Sequence, residues 1–128
     1  MSPNSQPTPP LSAGLAALQS GDAATAEAIA RRALEAAADE PDWLTVLALA
    51  LSQQQRASEA LPLYQRLTVL QPQISEHWSN LGNCLCELGQ ERDALAPLQR
   101  ALECGGRSAE LHYALARAWV AHGAACPE

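Results

Sequence analysis

The chain has 128 residues and a formal net charge of −6, with 14 acidic residues against 8 basic ones. All 8 basic residues are Arg, because the sequence contains no Lys. An acidic, Lys-free surface cannot make the dense phosphate contacts of nucleic-acid binding, and an anionic membrane leaflet would repel it. No apolar run approaches the roughly 18 residues of a membrane span. The first basic residue is Arg31, so no charged leader is expected. Free cysteines fit a reducing, cytoplasmic compartment.

Ala (26) and Leu (20) dominate, and Phe is missing. Both are strong helix formers. A core of small side chains lets helix backbones approach closely, toward the short end of the roughly 8–10 Å interaxial range. An all-α stack with tight crossings is expected. Abundant Ala and Arg without Lys point to a GC-rich bacterial source.

Residues 1–10 hold four Pro among small polar residues and read as a disordered arm. Thr8 suits an N-cap and Pro9 a first helical position. Seven helices are then expected, near 9–20, 22–38, 41–54, 57–70, 75–88, 91–104 and 108–122. Pro62 and Pro97 fall inside the fourth and sixth, where each should remove a backbone bond and bend the helix.

The sequence matches itself when shifted by 34 residues. Gly14, Ala48, Gly82 and Ala116 form a column of small residues. Gly21, Gln55, Gly89 and Gly123 form a second, at turns. Ala26, Ala60 and Ala94 form a third, and Ala33, Leu67 and Ala101 a fourth. Within 75–106, Trp78, Leu81, Gly82, Leu85 and Leu88 make one helical stripe, and Gly89 ends that helix. Ala94, Leu95, Leu98, Ala101 and Leu102 make the stripe of the next.

The motif Trp78-x-x-Leu81-Gly82-x-x-Leu85, followed by Gly89, Ala94, Leu98 and Ala101, resembles the tetratricopeptide repeat. Tyr64 and Pro72 add matches in the preceding unit. The resemblance implies a right-handed α-solenoid of antiparallel helix pairs, about 3.5 repeats long. Its units would run near 11–40, 41–74 and 75–108, with a half unit at 109–128. The first unit departs from the pattern by carrying Ala26, Ala30 and Ala33 where larger residues are usual.

The fourth unit has only its first helix. Leu111, Tyr113, Leu115, Trp119 and Val120 make that helix apolar on more than one side, whereas a terminal solenoid helix should have a polar outer face. Two origins are expected for such an open surface. Either the chain is a piece of a longer protein, or the face pairs with a second copy through Leu111, Tyr113, Trp119 and Val120.

No catalytic constellation is evident. Cys84 and Cys86 are two apart, so on a helix they point about 200° from each other and cannot share an ion or a bridge. Cys84 reads as a core residue, and Cys104 and Cys126 as free thiols. His77, His112 and His122 form no ligand set, and no Gly-rich phosphate loop or zinc motif occurs. The expectation is a non-enzyme without metal or cofactor.

What remains is a surface. The resemblance implies that first helices of successive units line a groove for a peptide or partner protein. Its columns carry Asp42, Thr45, Leu49, Ser52 and Gln53 in the second unit. In the third they carry Glu76, Ser79, Asn83, Cys86 and Glu87, with Asn80 at the place of an asparagine ladder that Val46 and Ala114 interrupt. In the fourth they carry Glu110, Tyr113 and Arg117. Asn83 can donate and accept at once, which suits capture of a peptide backbone. Arg117 could grip a carboxylate or pair with Glu87 or Glu110. A chaperone-tail clamp is not expected, because Leu11, Leu15 and Glu76 stand where its polar residues are needed. The acidic groove favours a basic or amide-rich partner. The expected function is a non-catalytic interaction scaffold. Its alternatives are a recruiting module of a bacterial transferase or oxygenase, and a homodimer through the last helix.

Overall fold

A computed structural model describes residues 10–123. These residues form seven helices and no strand: α1 (Leu11–Gln19), α2 (Ala23–Ala36), α3 (Pro41–Gln53), α4 (Ala57–Leu70), α5 (Ser75–Glu87), α6 (Glu91–Glu103) and α7 (Ala109–His122). The helix pairs α1/α2, α3/α4 and α5/α6 follow the 34-residue period, and α7, the last described helix, falls at the first-helix place of the next unit. Thr8 and Pro9 lie outside the described residues. Helix α1 begins at Leu11, after an extended Pro10.

Local chemistry sets the helix ends. The Asp22 carboxylate accepts the Thr25 N–H at 3.3 Å and opens α2, and Ser108 Oγ accepts the Leu111 N–H at 3.1 Å and opens α7. Pro41 occupies the first turn of α3. The turn column ends the first helix of each pair in one way. Asp22, Arg56 and Gln90 donate back to the carbonyls of Ala17, Leu51 and Leu85 at 2.8, 2.9 and 2.8 Å. This closure requires a left-handed residue just before each donor. Gly21, Gln55 and Gly89 supply it, with φ of 81°, 62° and 78°.

Pro62 and Pro97 lie within helices that continue through them. The carbonyls they leave without a helical donor belong to Ser58 and Asp93, both exposed, so water can replace the missing bonds.

The core is built where small residues face large ones. Ala26, Ala60 and Ala94 are each 0% exposed, and Ala33, Leu67 and Ala101 are no more than 1%. A Cβ at Gly82 would collide with Leu98, which fixes how closely α5 and α6 pack. A Cβ at Gly14 would come within 2.9 Å of the Trp43 ring, so α3 lies directly against α1. Polar ties add register between units. Glu27 on α2 accepts from Gln54 at 2.9 Å and Arg56 at 2.8 Å, and Cys84 Sγ donates to the Ala57 carbonyl at 3.1 Å.

Gln55 is the side-chain-bearing member of the left-handed turn column. That conformation costs a non-glycine residue roughly 1–2 kcal/mol, partly offset by the greater freedom glycine loses on folding. Gln55→Gly should therefore stabilise the chain by about 0.5–1 kcal/mol. Chemical denaturation checks this: the midpoint should rise at unchanged slope, and a lower midpoint would contradict the assigned turn.

Candidate binding groove

The first helices place their solvent-facing columns along one side of the stack. One opening lies between units three and four. A cleft of about 350 Å³ is lined by Asn83, Cys86 and Glu87 from α5 and by Glu110, Tyr113, Ala114 and Arg117 from α7. No residue of a second helix lines it, so it opens between successive first helices. Glu87 closes α5, while Glu110 lies in the first turn of α7. Tyr113 is 68% exposed and lines the cleft.

The other expected groove residues stand apart from this cleft. Asp42, Gln53 and Glu76 are exposed, and Thr45, Leu49, Ser52, Ser79 and Asn80 are half-buried. Two of the hydroxyls are already engaged. Thr45 Oγ1 donates to the Pro41 carbonyl at 2.8 Å, and Ser52 Oγ pairs with the Tyr64 hydroxyl at 3.0 Å. Burial pushes the Tyr64 hydroxyl up to about 12, against the bond to Ser52, so the phenol stays protonated.

Arg117 pairs with neither Glu87 nor Glu110. Its guanidinium lies 3.3 Å from Glu91, the first residue of α6, and 6.0 Å from the centroid of the Tyr113 ring. The sequence pattern gave no sign of this pairing, because it depends on how α6 starts beside the middle of α7. Cys84 is buried and its thiol is pushed up to about 11 by that burial. Burial also raises Cys86, with Arg117 opposing and Glu91 and Glu87 adding. Neither thiol is activated as a nucleophile. Among the described residues no group of His, Cys, Asp and Glu could hold a metal ion. None of the described helices is long and apolar enough to cross a membrane.

The last helix divides by face. Leu111 requires a correction as a self-association residue: it is 1% exposed, packed toward Gly106 inside the stack. Trp119 is half-buried against the core. Tyr113 and Val120 are exposed, Val120 by 80%. Ala116 is exposed too, although its counterparts Gly14, Ala48 and Gly82 are buried. With Glu91, Arg117 and Ala121, Ala116 and Val120 line a second opening of about 400 Å³.

Paired helices on one period, with clefts between successive first helices, define a helical-repeat solenoid. A tetratricopeptide repeat model matches residues 11–73 and again 45–106, and the chain belongs to that family. Solved structures share the right-handed solenoid. MamA is similar at a TM-score of 0.77 and 26% identity, over 88% of this chain and 66% of that one. An O-GlcNAc transferase from Thermobaculum terrenum is similar at 0.78 and 30% identity, over 85% of this chain and 21% of the enzyme. The first TPR of Spaghetti (RPAP3), bound to an HSP90 peptide, is similar in fold at 0.81 and 18% identity, over 88% and 90%. This chain thus spans just under two thirds of MamA and a fifth of the transferase. No curated protein matches it in sequence.

His77 follows Glu76 on α5 and is 6% exposed. Its Nε2 is 2.7 Å from Gln71 Oε1, and its Nδ1 is buried with no partner among the described residues. A carbonyl oxygen only accepts, so Nε2 carries the hydrogen and Nδ1 keeps a bare lone pair. Burial holds the imidazole below its ordinary 6.5, while Glu76 and Asp42 pull the other way. The unfolded chain therefore binds the proton more readily, and stability should fall as pH drops through and below 6.5. The lowered carboxylates, Asp22, Glu27, Asp39 and Glu59, act only at more acid pH, as they protonate. Thermal unfolding at about pH 7.5 and about pH 5.5 tests the assignment. His77→Leu should shrink the loss on acidification, and an unchanged loss would assign it to another group.

Proposed function

We propose that the chain is a non-catalytic scaffold that holds a peptide, or a segment of a partner protein, along the face built by α1, α3, α5 and α7. Membership of the tetratricopeptide repeat family and the solenoid fold support a protein-interaction role. The observation that carries the reading is the α5/α7 cleft, with a half-buried amide, Asn83, on its wall. An amide there can bond a peptide N–H and C=O together, which recognises backbone more than sequence. The acidic columns favour a basic or amide-rich segment. A cytoplasmic setting suits thiols that form no bridge among the described residues. Similarity to a fifth of a transferase supports a variant of the same role, as the recruiting module of a larger enzyme.

One specific observation favours a second reading, self-association. Val120 is 80% exposed where its counterpart Cys86, one repeat earlier, is 9% exposed. Ala116 leaves room beside it for another helix to approach. A two-fold pairing through Tyr113, Ala116 and Val120, flanked by Trp119, would cover this stripe.

Asn83→Ala should weaken a groove-bound peptide about five- to tenfold, the net worth of one or two hydrogen bonds. Calorimetry on the folded variant measures this, and undiminished affinity would move binding off the cleft. Self-association makes its own demand: Val120→Glu should turn a dimer into a folded monomer by light scattering. A wild-type monomer at high concentration would remove that reading.

A further inference from the structure

We propose that the α5/α7 cleft is a seat for one cationic side chain of the bound segment, an arginine above all, recognised by Glu87, Glu110 and the Tyr113 ring. The proposal rests on the reading of the groove as a peptide site and says what that site selects.

Four observations converge. First, Glu87 and Glu110 face the same 350 Å³ cleft, and among the described residues neither forms an ion pair. Second, the cleft's own cation is spoken for, because Arg117 is held by Glu91 at 3.3 Å from outside the lining. The lining thus carries two uncompensated carboxylates. Third, the exposed Tyr113 ring already accepts a guanidinium at 6.0 Å, that of Arg117, so the ring presents a face of the kind a cation uses. Fourth, Glu87 closes α5, where the helix dipole is negative. Its charge works against the helix that carries it. An arriving cation would satisfy Glu87, Glu110 and the ring together, while the half-buried Asn83 amide takes the neighbouring backbone. The raised Cys86 thiol stays neutral and leaves the floor uncharged.

The rival occupant is an anion gripped by Arg117. It would have to displace Glu91 and then sit beside Glu87 and Glu110, against like charge on both sides.

The two occupants give opposite signs for one substitution. A display library of linear dodecapeptides selected on the whole chain supplies the probes, restricted to binders that Asn83→Ala weakens. Those binders should carry Arg or Lys. Exchanging the decisive Arg for citrulline should weaken binding at least tenfold to wild type, and less than twofold to a Glu87→Gln, Glu110→Gln double variant. Arg117→Ala should leave affinity unchanged or raise it two- to threefold, since a competing cation is gone. Circular dichroism controls for folding of each variant. Asn83-dependent binders without a cation, or binders that Arg117→Ala weakens, overturn the seat while leaving the groove intact. If no selected peptide depends on Asn83, the groove itself fails and the seat with it.

Discussion

The structure depends on how near two helices can come at a residue with no bulk. Gly82 lies under Leu98 with no room for a methyl group between them. Around that crossing, Ala94 and Ala101 are fully buried, as are Ala26, Ala33 and Ala60 in the units before. Each buries little area of its own, but a close approach brings both backbones and their neighbouring Leu side chains into contact along several turns. This explains how a chain without Phe can pack a core. The large fully buried residues, Leu51, Leu67, Leu98, Leu111 and Leu115, fill the space between small ones. Because every pair solves the same problem, the solution recurs, and the 34-residue period records that recurrence.

That is also why the fold could be read from the sequence. Buried positions answer to neighbours that the period itself supplies, so three copies of one column carry the same information. The seven helices fall within two residues of their expected ends. The turn column marked Gln55 as a glycine equivalent, and the backbone there is left-handed. Leu111 departs from the expected open face because the side of α7 it occupies, and not its apolar character, decides whether it meets the core. The α7 stripe that enters the stack also includes Ala114, Leu115 and Ala118, and Leu111 lies on it.

The site was legible only in part, for a physical reason. Residues facing solvent have no partner fixed by the period. Column membership put Asn83, Glu87, Tyr113 and Arg117 on one face, and the structure brings these four together. It could not show that Thr45 and Ser52 spend their hydroxyls on Pro41 and Tyr64. Nor could it show that Glu91 holds Arg117. Each of these depends on a relation between helices at a particular crossing, which one sequence does not encode column by column.

The acidity of the groove is of two kinds. Asp42, Glu76 and Glu110 share one column, and each lies in the first turn of its helix. A carboxylate there is favoured by the helix dipole by about 0.3–1 kcal/mol. The scaffold alone favours a carboxylate at those three places, whatever the groove holds. Glu87 differs, because at the other end of α5 the same field opposes it by a similar amount. Its counterparts in the same column are Gln53 and Ala121, which carry no charge. A repeat architecture makes this comparison possible within a single chain. A charge that recurs with the helix start follows from the scaffold, whereas one at a helix end, as Glu103 also is on α6, is carried against a field worth only about 0.3–1 kcal/mol. Glu87 meets that description and lines the cleft between α5 and α7.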